Sequence, residues 1–128
     1  MEIDRLDHLV LTVADIEETC RFYQTVMGMK RVTFGEGRTA LHFGRQKINL
    51  HAVGSRIEPR AELPTAGSAD LCFITAMPIG DVQAHLQAHG VIIEHGPVAQ
   101  TGALGPMCSV YFRDPDKNLI EVAVYDAS

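Results

Sequence analysis

Apolar and polar residues alternate from Leu6 to Val13. Leu9, Leu11 and Val13 share one face, and Leu6, His8, Val10 and Thr12 share the other, which predicts a strand. The period then changes. Ile16, Cys20, Tyr23 and Met27 follow at helical spacing, with Asp15 as N-cap, Glu18 three residues on, and Gly28 as the stop. Arg31 to Phe34 and Thr39 to Phe43 read as strands around the Gly35-Glu36-Gly37 turn. Ile48 to Ala52 is a third short apolar run and carries His51.

The stretch GSRIEPRAELPTAG, residues 54–67, has two prolines, two glycines and no periodicity, so it reads as a connection. After it the order repeats. Leu71 to Thr75 is a strand, Asp81 to His89 a helix with Val82 and Leu86 inward, and Gly90 its stop. Val91 to Glu94 is expected as a strand and His95 to Pro106 as a Gly/Pro-rich loop. Met107 to Phe112 and Leu119 to Tyr125 complete the half. Asp70 follows His8 by 62 positions (70 − 8), and Gly90 follows Gly28 by the same 62 (90 − 28). The expectation is an α+β chain made of two βαβββ modules, 1–54 and 68–128, joined by 55–67 within one domain. Their sheets would curl into an open, U-shaped mixed β-barrel with flanking helices.

The closing segment, SVYFRDPDKNLIEVAVY, is a hairpin whose turn is Asp114-Pro115-Asp116-Lys117-Asn118. On its outgoing strand Ile120, Val122 and Val124 share one face, and Leu119, Glu121, Ala123 and Tyr125 the other. Both faces are mainly apolar. A carboxylate there is costly to bury without a cation or donor opposite it, and Arg113 is one such partner within reach of the sequence.

Composition narrows the function. A net charge of −5 without a Lys/Arg run argues against a nucleic-acid or anionic-membrane surface. No apolar run approaches the roughly 20 residues of a membrane span. The acidic N-terminus enters a strand pattern at once, without a signal-peptide pattern, and a cytoplasmic setting is expected. Three cysteines, Cys20, Cys72 and Cys108, lie far apart with no C-x-x-C pair, so they read as small buried hydrophobes.

The repeat places His8 and Asp70 at the first strands of the two halves, and His51 and Glu121 at the last. Curled sheets would bring the four side chains together. Two imidazoles with one or two carboxylates suit a divalent ion such as Fe(II), Mn, Co, Ni or Zn. Each residue also has a plain structural role. His8 can be a core-edge histidine, His51 an exposed strand end, Asp70 a turn cap, and Glu121 the partner of Arg113. His42, His85, His89 and His95 show no mutual spacing. Tyr111 and Tyr125 fit either a pocket lining or an aromatic core. Arg38, Arg45 and Lys47 give the first half a basic edge, suited to an acidic substrate or to a solvated strand face.

The repeat, the opening DHLVLTVADIEETCRFYQTVMGM and the close GPMCSVYFRDPDKNLIEVAVY resemble the vicinal oxygen chelate superfamily. It includes glyoxalase I, bleomycin- and fosfomycin-resistance proteins, methylmalonyl-CoA epimerase and extradiol dioxygenases. The resemblance implies a divalent metal held by His8, His51 and Glu121, with Asp70 at the fourth position. It implies Glu121 as the proton-moving residue of a lactoylglutathione lyase-like enzyme acting on a small substrate, such as a thiol conjugate, chelated through vicinal oxygens. It also implies a homodimer. An extradiol-type dioxygenase and a metal-free drug- or metabolite-binding protein are the alternatives. Asp70 stands where the family often has His or Gln. Asn49, two residues before His51 on the same face, is an alternative ligand. Lys117 stands where the family's DPDGN turn has Gly, which implies a turn without positive φ.

Overall fold

The computed structural model describes residues 1–126. Two units divide the chain, Met1–Ser68 and Ala69–Ser128. The first contains β1 (His8–Val13), α1 (Ile16–Thr25), β2 (Lys30–Phe34), β3 (Arg38–Phe43) and β4 (Gln46–Ala52). The second contains β5 (Asp70–Ile74), α2 (Ile79–Ala88), β6 (His95–Gly102), β7 (Gly105–Arg113) and β8 (Leu119–Tyr125). Both are βαβββ modules in an α+β fold. The sheet orders are β1-β4-β3-β2 and β5-β8-β7-β6, with first and last strands parallel and the other pairs antiparallel.

Local chemistry explains the elements. The Asp15 side chain accepts from the Glu18 amide at 3.0 Å and caps α1. In the first unit Tyr23 and Cys20 of α1 and Leu41, Ile48 and Val13 of the sheet are fully buried. In the second, Val82 and Leu86 of α2 join Val110, Phe112 and Ile120. Burying each large side chain contributes about 1.5–3 kcal/mol, which outweighs the modest helix propensity of two ten-residue helices. The helices stop at equivalent points, with Gly28 at φ 68° and Gly90 at φ 70°.

Three expectations are corrected. Residues 91–94 form no strand; the third strand of the second unit is His95–Gly102, within the expected loop. Gly and Pro here mark an edge strand. Pro97 falls where the register shifts between His95 and Val98, and an edge position does not need its missing N–H. Gly96, at φ 97°, lies so close to the Ser109 carbonyl that no side chain fits there. Cys72 is exposed and Cys108 half-buried, so only Cys20 is a buried hydrophobe. Finally, Lys117 adopts φ 69°, the one positive φ among described non-glycine residues.

The turn forces that conformation. Asp114 Oδ1 accepts from the amides of Asp116 at 2.9 Å and Asn118 at 3.0 Å, and Oδ2 from the Asn118 amide group at 2.8 Å. Asn118 Oδ1 in turn accepts from the Ala69 amide at 2.9 Å, which ties the turn to the start of β5. Lys117 is held left-handed between two buried anchors. Lys117→Gly is expected to raise unfolding free energy by about 0.5–1 kcal/mol, the left-handed penalty less the added unfolded-state entropy. Chemical denaturation checks this; a loss of stability would contradict the account of the turn.

Candidate functional site

In the second unit, cross-strand register sets one row across the sheet: Cys72 on β5, Glu121 on β8, Tyr111 on β7 and His95 on β6. Cys72 and Tyr111 flank Glu121 in the register, one on each side of its carboxylate. Gln100 donates to the Tyr111 hydroxyl at 2.8 Å, so the phenol accepts there and keeps its own proton to donate. The His95 and Tyr111 rings stack obliquely at 5.6 Å. Glu121 Oε2 is buried and has no hydrogen-bond partner. Arg113 does not supply one: it pairs with Glu94 at 3.0 Å and bonds the Lys117 carbonyl. Glu121 thus lies between a thiol and a phenol, with one carboxylate oxygen buried and unpartnered.

The neighbours register the carboxylate. Partial covering of the Cys72 sulfur, then the charge and hydrogen bond of Glu121, push that thiol from 9.0 up to about 11, although the residue as a whole is exposed. Burial, then the Glu121 hydrogen bond, raises the Tyr111 phenol. Tyr111 therefore belongs to the polar face of the sheet and not to an aromatic core. Tyr125 serves the fold, since its hydroxyl accepts from the Leu104 amide at 3.1 Å.

In the first unit, His8 opens β1 and is exposed, with Nδ1 bonded to the Asp7 carboxylate at 2.8 Å. The His8 hydrogen bond holds Asp7 below the usual carboxylate range. This pairing orients the ring and leaves Nε2 for another ligand. His51 is buried, and its Nε2 lies 3.3 Å from an Arg38 nitrogen. A guanidinium can only donate, so Nε2 is the acceptor. Burial, then the Arg38 charge, lowers the imidazole's pKa, so His51 is neutral at pH 7.

The repeat can now be aligned by register. Val10, two residues into β1 from His8, pairs with Asn49. Cys72, two residues into β5 from Asp70, pairs with Glu121. The first unit's counterpart of Glu121 is therefore Asn49, while His51 sits one pleat further along, opposite Thr12. Counting along the sequence paired His51 with Glu121 because β4 and β8 were matched by their ends and not by their partners. Asn49 is buried, and its Oδ1 has no partner, the same condition as Glu121 Oε2.

Asp70 is the exposed first residue of β5. Among the described residues no group of three or more His, Cys, Asp and Glu side chains that could hold a metal ion occurs. No described helix is long and apolar enough to cross a membrane.

Sequence and structure comparisons fit this architecture. The family model described as Glyoxalase/Bleomycin resistance protein/Dioxygenase superfamily matches residues 5–122. The chain is 57% identical to virulence protein STM3117 of Salmonella typhimurium over 98% of this chain and 87% of that protein. It is 53% identical to the glyoxalase domain-containing protein RDO1 of Mycosarcoma maydis over 98% of this chain and 70% of that one. The structure of integron cassette protein VCH_CASS1, from the mobile metagenome of V. cholerae, superposes with a TM-score of 0.97 at 58% identity, covering 98% of both chains.

The Glu121 row makes a chemical prediction. With its thiol at about 11, Cys72 should react with iodoacetamide at pH 8 about a hundredfold more slowly than a thiol at 9.0. Glu121→Gln should speed that alkylation, because the charge that opposes the thiolate is gone while the burial remains. Equal rates in the two proteins would show that Cys72 does not face the carboxylate.

Proposed function

Because the chain belongs to the Glyoxalase/Bleomycin resistance protein/Dioxygenase superfamily, we propose that it is a metal-dependent lyase of the glyoxalase I type. It would take a small substrate through two neighbouring oxygens. The observation that carries this reading is Glu121: a fixed carboxylate with one oxygen buried and unpartnered. Such an oxygen is costly unless a cation or a proton donor meets it.

Taken one by one, the side chains present have donor atoms that suit a divalent ion. Glu121 offers an oxygen with no competing partner, and His8 offers Nε2 with its other nitrogen fixed by Asp7. Asp70 is a further oxygen donor. His51 is neutral, as a ligand must be, but its proton sits on Nδ1 while Nε2 accepts from Arg38, so to ligate an ion Nε2 would exchange the Arg38 contact for it. The proposed donors are His8, His51, Asp70 and Glu121. When bound, the ion would act as a Lewis acid that acidifies the carbon beside a carbonyl.

The chain's own part is proton movement. Glu121 would take a proton from one carbon and return it to the next. Tyr111 and Cys72, beside the carboxylate, remain protonated themselves, since both are raised above their ordinary values. Gln100 donates to the Tyr111 hydroxyl, which leaves the phenol proton available to another acceptor. The working form is proposed to be a homodimer, as in many members of the superfamily.

The test is metal analysis of the purified protein, then add-back of Ni, Co, Zn, Mn or Fe(II) with a glutathione hemithioacetal as substrate. Metal-dependent isomerisation is expected, and Glu121→Gln should lower kcat at least about a hundredfold while the fold persists. Oxygen uptake with Fe(II) and a catechol, in place of isomerisation, would favour a dioxygenase. Binding of small molecules with no metal dependence would favour a binding protein and would overturn the lyase reading.

A further inference from the structure

The first unit's sheet carries a second polar constellation that the proton chemistry does not use. On one face of β4 lie Lys47, Asn49 and His51, at alternate positions. Lys47 Nζ sits 4.0 Å from the centre of the Phe34 ring. The Arg38 guanidinium carbon sits 4.9 Å from the centre of the same ring. Two cations therefore share one aromatic ring. Neither forms an ion pair with a carboxylate among the described residues. Arg38 is turned instead to a neutral acceptor, His51 Nε2 at 3.3 Å. Asn49, only 5% exposed, lies between Lys47 and His51 on the strand, and its Oδ1 has no partner.

These features specify a ligand. Two half-buried cations, neither in a close ion pair and only Lys47 feeling a carboxylate (Asp7) at longer range, suit an anion, and a guanidinium favours a planar carboxylate that it can meet with two N–H groups. Cation–π contact with Phe34 fixes the cations without neutralising them, so their charge stays available. The orphaned Asn49 Oδ1 is an acceptor and cannot bind the anion itself. It calls for a hydroxyl proton on a neighbouring atom.

We propose that Arg38, Lys47 and Asn49 form a binding site for a 2-hydroxycarboxylate. Arg38 and Lys47 take the carboxylate and Asn49 Oδ1 takes the proton of the adjacent hydroxyl. Phe34 holds the cations in place between ligands. The site lies wholly within the first unit and needs neither a metal nor the lyase reading, so it can stand or fall separately from them.

The experiment is a titration of the purified protein in EDTA, followed by 1H–15N NMR, with glycolate, acetate and ethylene glycol. Glycolate should bind about tenfold or more tightly than acetate, since a site with an acceptor for a hydroxyl penalises the analogue lacking it. Ethylene glycol should not bind measurably. Arg38→Ala and Lys47→Met should each weaken glycolate and acetate alike. Asn49→Leu should lower glycolate to the acetate level while acetate is unchanged. Should Asn49→Leu fail to fold, the isosteric Asn49→Asp serves in its place, and its added charge should abolish binding of both acids. Equal binding of glycolate and acetate by the native protein, a preference that survives at Asn49→Leu, unchanged acid binding at Asn49→Asp, or no binding of either acid would overturn the proposal.

Discussion

A carboxylate with one oxygen buried and nothing bonded to it is the constraint on which the second unit turns. Glu121 stands in the parallel-paired strand β8, between a thiol and a phenol, where a sheet would ordinarily place apolar residues. The desolvation cost of a carboxylate is several times the net gain of one ordinary hydrogen bond, so neutral neighbours alone do not offset it. The remainder is an unspent capacity to hold a cation or move a proton. Fold stability and site chemistry meet in this one side chain.

The surrounding structure holds that side chain in place. Asp114 and Asn118 lock the turn before β8, and Asn118 carries the lock across to Ala69 at the head of β5. The Leu119 amide bonds the Ala69 carbonyl at 3.1 Å, so β8 is registered on β5 before its first buried residue. With the register set, Glu121 must lie beside Cys72 and Tyr111, because a slip of one residue would turn it into the core face occupied by Ile120 and Val122. The left-handed Lys117 is the strain that this lock tolerates.

Much of the fold was legible in the chain. Period changes marked β1, α1 and β8 within two residues, and the 62-residue offset matched two helix-stopping glycines with the same positive φ (90 − 28). Strand β6 was hidden because Gly96, Pro97 and Gly102 resemble a loop when read locally. What makes them a strand is pairing with β7, a partner that composition does not reveal. The site was legible in identity and not in register. Glu121 was singled out by its apolar neighbours alone, whereas its counterpart Asn49 required the β1–β4 pairing, and the Lys47–Phe34–Arg38 cluster required side-chain paths across three strands. The DPDKN turn misled for a related reason. The Asp114 and Asn118 anchors override the preference of Lys117 for negative φ.

Whether Glu121 holds a cation is the central claim, and calorimetric titration of Co(II) into the metal-free protein tests it most directly. The account predicts one class of site, with affinity falling at least about a hundredfold in Glu121→Gln, more than loss of an outer-shell group would cause. Equal Co(II) affinity in the native and Glu121→Gln proteins, or no Co(II) binding by either, would contradict it.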